Sequence, residues 1–416
     1  VALGPIEQQL VERFCRYVAI SSQSNARSTQ LPSSDGQHHL AALLAEELQQ
    51  LGLKNVVVDD NAIVTAFKPG TLKAAPAVGF IAHLDTVDVG LSPDIRPQIL
   101  QFTGDDLCLN KQQGIWLCVD EHPEIMPYLG QEILFSDGTS VLGADNKAAI
   151  AIIMTAMANL TADTSHGDLH IAFVPDEEIG LRGAKTLDLS RFPVEFAYTI
   201  DCCEAGELVY QTFNAASAHI EITGVTAHPM SAKGVLVNPL LVATDFIAYF
   251  DRQQTPECTE SREGYFWFQE IEADQNRASL RMVIRDFDLD TFNARKSQII
   301  SAVEQIKKQH PKAEISCSIS DTYANIANAI KNDRRAIDLA FKAMSSLGIT
   351  PKVLDMRGGT DGSELSRRGV LTPNYFTGAH NFHSRFEFLP ITSFELSYQV
   401  TRQLIHLAAN PADSES

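Results

Sequence analysis

The chain has 416 residues, long for one core, so two domains are the natural prior. Its 33 Lys+Arg stand against 52 Asp+Glu, a formal net charge of -19 that repels nucleic acid and anionic membranes, and no local basic patch offsets it. Seven cysteines without a C-x-x-C pair, one of them odd, argue against a disulfide framework and for a reducing cytoplasm, and the longest apolar runs fall short of a membrane span.

In chain order, Pro5 to Ile20 reads as an amphipathic helix with Ile6, Leu10, Phe14 and Val18 on one face rather than as a leader. Ser33-Ser34-Asp35 supplies cap chemistry for a helix carrying Leu40, Leu44 and Leu48 that Gly52 stops. Short β-rich runs follow at 55–58, 62–67 and 77–82. Gly143-Ala144-Asp145 then opens a strongly apolar helix, placing Asp145 in a first turn, where anionic side chains are favoured. Further strands at 169–174 and 197–200 make this an α/β domain with a mostly parallel sheet, and in such sheets ligands collect beyond the carboxyl ends of the strands.

From about Thr212 to Asp321 the pattern changes. Ala218, Ile220 and Ile222 alternate as in a half-exposed strand, 236–250 is helical, 264–271 and 278–284 look paired, a helix carries Phe292 to Ile306, and Ile315, Cys317 and Ile319 form a last strand. This β-α-β-β-α-β order is the ferredoxin-like α+β unit, inserted as a lid over 212–321 into a catalytic domain formed by 1–211 and 322–416. A helix at 334–347, stopped by Gly348, resumes the first pattern, and the polar tail from Asn410 is expected to fray.

Several segments deliver a hard or borderline metal ligand just after a short apolar run: His83-Leu84-Asp85, Asp176-Glu177-Glu178, Asp201 and Asn381-Phe382-His383, and these ends can converge on Asp145. With a side-chain period of two, Asp85 shares a strand face with His83 and can orient its imidazole. Glu177 and Glu178 are adjacent and point apart, so one can bind metal while the other handles protons. Each segment alone is an ordinary cap or acidic turn; their co-occurrence points to a two-metal centre bridged by Asp145, with a carboxylate left over to handle protons.

These motifs, with Arg357-Gly358-Gly359-Thr360-Asp361-Gly362, Ala227-His228-Pro229 and Ile284-Arg285-Asp286-Phe287-Asp288, resemble the peptidase T family, tripeptide aminopeptidases of the dizinc aminoacylase and carboxypeptidase superfamily. The similarity runs from about Leu10 to beyond Glu387. It implies two Zn²⁺ per chain, one held by His83, Asp145 and Asp201, the other by Asp145, Glu178 and His383, with Glu177 as general base and Asp85 as the orienting residue. It also implies small peptides as substrates, Arg285 at the peptide C-terminus, His228 near the substrate carbonyl and a cytoplasmic location; the lid edges are a candidate homodimer surface, and the sequence alone does not fix the oligomeric state. A deacylase, dipeptidase or carboxypeptidase of the same superfamily, or a metal-binding protein without catalysis, is the competing reading. Two departures from the family pattern stand out: Asn146 where Asp is common, and Cys202-Cys203 after Asp201, where small residues are usual.

Overall fold

The computed structural model describes residues 2–414. Its helices are α1 (Pro5–Val18), α2 (Asp35–Gln50), α3 (Ala144–Ala158), α4 (Arg182–Thr186), α5 (Pro239–Ile247), α6 (Leu289–Gln309), α7 (Arg335–Ser346), α8 (Asp361–Arg367) and α9 (Ile391–Ala409). The strands are β1 (Lys54–Val58), β2 (Val64–Lys68), β3 (Val78–His83), β4 (Gln98–Gln101), β5 (Leu107–Asn110), β6 (Ile115–Leu117), β7 (Glu132–Phe135), β8 (Leu169–Val174), β9 (Phe196–Cys202), β10 (Glu207–Thr212), β11 (Asn214–Thr223), β12 (Tyr265–Ala273), β13 (Arg277–Asp286), β14 (Glu314–Tyr323), β15 (Lys352–Met356), β16 (Asn374–Phe376) and β17 (Phe388–Pro390). None of these helices is long and apolar enough to cross a membrane.

The chain divides into two compact units, one of residues 1–210, 329–354 and 360–416, the other of 211–328 with 355–359. In the first, the main sheet runs β1-β2-β8-β3-β9-β16-β10-β15, with β8, β3, β9 and β16 parallel and β1 and β2 antiparallel at one edge. The parallel strands are buried on both faces, which is why β3 and β8 read as mostly apolar runs rather than alternating ones, with His170 the polar residue inside β8. Helix α3, buried from Ala144 to Met157, packs against α1, α9, β3 and β9. An all-round apolar helix of this kind is stable only inside a protein. Helix α1 instead shows one buried stripe, Leu10, Val11, Phe14, Tyr17 and Val18, and begins at Pro5 with the Glu7 carboxylate accepting the Gly4 N–H at 2.8 Å. A smaller sheet, β17-β7-β4, covers an apolar cluster including Phe102, Phe135 and Phe388; the sequence reading passed over it, because its strands are only three or four residues long.

The second unit is an antiparallel sheet ordered β12-β13-β11-β14 with α5 and α6 packed on it, the ferredoxin-like arrangement. Helix α5 is shorter than the sequence pattern implied: Asn238 caps it by accepting the Leu240 N–H at 3.1 Å, and Pro239 takes the first helical position. The segment 355–359 belongs with this unit because Arg357 Nη1 donates to the carbonyls of Ser261 and Glu263 and Gly358 O accepts the Phe213 N–H. In the first unit the tail forms a short 3-10 turn, Pro411–Ser414; residues 415 and 416, also expected to fray, lie outside the described residues.

Candidate metal centre

The parallel strands bring their carboxyl ends to one rim. β3 ends at His83, β8 runs into Pro175-Asp176-Glu177-Glu178, and Asp201 lies next to the last residue of β9. Asp145 sits in the opening of α3, yet its own backbone is not helical (φ -82°, ψ 95°), which turns its carboxylate toward that rim rather than along the helix. His83 Nε2 lies 2.9 Å from one Asp145 oxygen, and His383 Nε2 lies 2.9 Å from the other and 3.0 Å from Glu178. Asp201 and Glu177 stand 3.9 and 3.8 Å from His83 Nε2.

Donor atoms of His83, Asp145 and Asp201 therefore cluster, as do those of Asp145, Glu178 and His383, each group within 4.8 Å, and a third grouping joins His83 with Glu177 and Glu178. Asp145 is the member common to the first two. The donor set is imidazole nitrogen and carboxylate oxygen, which suits divalent cations of borderline or hard character.

The electrostatics fit the same cations. Burial, and the charges of Glu178 and neighbouring acids, push the Glu177 carboxyl well above its usual range against the pull of His83. Burial likewise pushes up Asp201, with Asp145 adding to it, and raises Glu178 to about 8. Burial opposes ionisation of Asp145 too, but hydrogen bonds from His383 and His83 hold it well below the carboxylate range. His383 is pushed up to about 11 by its bonds to Asp145 and Glu178. Like charges confined in one buried place repel one another, and bound cations relieve that repulsion.

Asp85 is fully buried, but β3 has already ended at His83, so shared strand face does not explain its placing. Its carboxylate lies 3.2 Å from His83 Nδ1, its backbone carbonyl lies 2.9 Å from the same nitrogen, and its two oxygens accept the backbone N–H groups of Glu177 and Glu178. His383 departs further from expectation. β16 ends seven residues earlier, and His383 sits in a loop with φ 62° and a side chain 45% exposed. His380 is turned elsewhere, with Nε2 2.6 Å from the Tyr128 hydroxyl and its ring stacked on Phe388.

Arg285 and His228 belong to the second unit. Arg285 Nη1 donates to the carbonyls of Ala216 and Ile284, and its guanidinium lies over Tyr323. His228 Nδ1 accepts the Met230 N–H at 3.1 Å, which leaves Nε2 as the proton-bearing nitrogen.

Four supporting residues were given no role in the sequence reading, although Asp176, Asn146 and Asp361 stand within segments it named. Asp176, at φ 55°, is fixed by Ser33 and Gln37, whose N–H, hydroxyl and amide all donate to its carboxylate. Asn146 accepts the His83 N–H at 3.1 Å and donates to Ile200 O at 2.7 Å, tying together the strands of two ligands. Asp361 is buried at the start of α8, and burial lifts it to about 7 with His83 opposing. Glu387 accepts the N–H groups of Gly143 and Asp145; burial and the Asp145 charge lift it to about 8. The acidic run carried a signal for Asp176, the departure after Asp145 for Asn146 and the Arg357 to Gly362 motif for Asp361, whereas nothing local marked Glu387. Cys202 and Cys203 are both free thiols that burial pushes up, so neither is primed as a nucleophile.

Residues 143–407 match the model of Peptidase family M20/M25/M40. The chain is 63% identical to a Peptidase T-like protein of Yersinia pestis, covering 97% of this chain and 98% of that one. It is 42% identical to Peptidase T of Aeromonas salmonicida over 96% and 98% of the two chains. Among solved structures, aminopeptidase PepT from Bacillus cereus superposes with a TM-score of 0.74 at 21% identity, over 97% of this chain and 99% of that one.

Proposed function

The chain belongs to peptidase family M20/M25/M40, and on that premise we propose that it is a two-zinc aminopeptidase removing the N-terminal residue of tripeptides in the cytoplasm. The observation that carries this reading is Asp145, shared by two ligand groups with Glu177 beside them. His83, Asp145 and Asp201 would hold one cation, and Asp145, Glu178 and His383 the other; three protein ligands each is the pattern of a catalytic zinc site rather than a structural one. When bound, the pair supplies a lowered water pKa and positive charge for the substrate carbonyl.

The remaining work falls to the chain's own groups. Glu177 takes the proton of the attacking water and returns it to the leaving amine, a task for which its place beside the two ligand groups, 3.8 Å from His83 Nε2, suits it. Asp85 fixes the Glu177 backbone and faces His83 Nδ1. We assign the His228 Nε2–H to the substrate carbonyl oxygen and the planar fork of Arg285 to the peptide carboxylate. Free cysteines support a reducing compartment. Exposed apolar side chains of the inserted unit, Met230 and Leu241 among them, support self-association through it.

Release of the N-terminal amino acid from di-, tri- and tetrapeptides of one sequence, with an N-acetylated tripeptide as control, tests the proposal. The tripeptide is expected to be preferred and the acetylated compound left intact. Preference for the dipeptide, or cleavage of the acetylated compound, overturns it in favour of a dipeptidase or deacylase.

A further inference from the structure

Glu387 is 1% exposed, and its carboxylate is committed to the backbone that presents Asp145. One oxygen accepts the Gly143 N–H at 2.9 Å and the other the Asp145 N–H at 3.1 Å. Gly143 has φ 80°, so successive N–H groups around this turn point the same way and form an anion-binding nest.

Glu387 also ends the loop that carries His383. That loop is closed by the pairing of His380 with Phe388, in which each backbone N–H donates to the other's carbonyl. Asn381 anchors its near end by donating to Glu124 at 2.7 Å, and the Glu387 N–H donates to Ser384 O at its far end. Between these anchors the His383 side chain is 45% exposed, so packing does little to hold it.

The other ligand group is secured separately. Asn146 joins the His83 backbone to the Ile200 carbonyl next to Asp201, so His83 and Asp201 are held without the His383 loop, and Asp145 is the one member that the first group shares with the second.

We infer that Glu387 is a positioning residue that registers the His383 loop against Asp145 and so sets the second metal site, which takes two of its ligands from these segments, far more than the first, which takes one. The inference rests on the two-metal reading above. Outer groups that orient ligands in this way are worth about 10–100-fold in metal affinity when lost.

The test is stepwise calorimetric titration of Zn²⁺ into the chelator-stripped full chain, with His383→Ala and Asp201→Ala as benchmarks for the loss of each site. Glu387→Gln keeps size but sets an amide NH₂ against one of the two N–H donors; Glu387→Ala removes both acceptors. Both are expected to reproduce the His383→Ala profile, with one binding step weakened about 10–100-fold and the step that Asp201→Ala removes kept within threefold. Two unchanged steps overturn the inference, as does equal weakening of both, which marks a general structural role. Failure of both variants to fold also overturns it, because Glu387 is then a core element and not a register for one site. A wild-type chain that takes up fewer than two ions refutes the two-metal reading itself, and the inference falls with it.

Discussion

The Asp85 carboxylate accepts the backbone N–H of Glu177 at 2.9 Å. Its second oxygen accepts the neighbouring N–H of Glu178 at 3.2 Å, and the first lies 3.2 Å from His83 Nδ1. One buried carboxylate thus sets the direction of a histidine, a base and a third acidic group, although those three residues come from two strands. Backbone N–H donors fixed this way hold the two glutamates apart, and this gives the first prediction.

Glu177→Gln is expected to keep its metal and its fold while kcat falls by about 10²–10⁴, since it removes only the proton carrier. Glu178→Gln is expected to weaken one metal site. Turnover numbers and metal content measured on both variants decide this; equal metal loss in both means that the two roles are wrongly divided.

Stripping the protein with a chelator is expected to abolish peptide hydrolysis, and readdition of zinc to restore it. Asp145→Ala is expected to lower binding at both sites because both groups use its oxygens. Elemental analysis that finds full metal after this substitution contradicts the shared ligand.

Arg285→Met is expected to raise KM for free tripeptides by about tenfold or more and to change little for the same peptides amidated at the C-terminus, because a charge-assisted bond of about 1.5–3 kcal/mol is lost only with the carboxylate. Kinetics on the paired substrates show which; equal losses make Arg285 structural.

His170 is stacked on Phe67, with ring centroids 4.9 Å apart, and burial holds its imidazole below the ordinary histidine value against the charge of Asp168. The folded state thus binds a proton less readily than the unfolded chain. Stability is unaffected above the unfolded pKa near 6.5 and falls as pH drops below it. His170→Phe keeps an aromatic partner for Phe67 and removes the titration. Urea unfolding at pH 8 and pH 5.5 is expected to show the variant gaining on the wild type at the lower pH. A difference independent of pH refutes the assignment.

Within the inserted unit, Arg295 Nε meets Asp286 at 2.8 Å with both side chains largely buried. Asp286→Ala is expected to destabilise that unit by about 3 kcal/mol, the low end for breaking a buried pair, because Arg295 keeps its bond to Gln254 and its place over Phe266. Denaturant unfolding monitored through Trp267 measures it, and a loss below about 1 kcal/mol contradicts a buried pair.

Much of this was legible in the sequence. The apolar runs ending in His83 and in Glu177 and Glu178 announced both strands and ligands, because a parallel strand buried on both faces carries few polar residues before the rim, His170 in β8 being the exception here. The alternation of Ala218, Ile220 and Ile222 marked a sheet with one covered face. What escaped notice depends on distant partners. Glu387 looks like any acidic residue before a short strand, and only the fold shows the Gly143 and Asp145 N–H groups waiting for it. Asp176 and Asn146 are legible only once the segments they join have met. The sequence places Asp145 in a regular first turn, whereas its backbone leaves helical geometry and turns the carboxylate toward the other ligands.

The order of strands in the main sheet constrains how the molecule is made on the ribosome. β16 lies between β9 and β10, yet it is translated more than 160 residues after them, once the whole inserted unit has emerged. Until then β9 has a free edge beside Asp201, in the middle of what will be a continuous sheet. A nascent chain that stalls before Asn374 therefore exposes a largely apolar strand with unpaired backbone groups, the kind of surface that recruits chaperones or neighbouring copies.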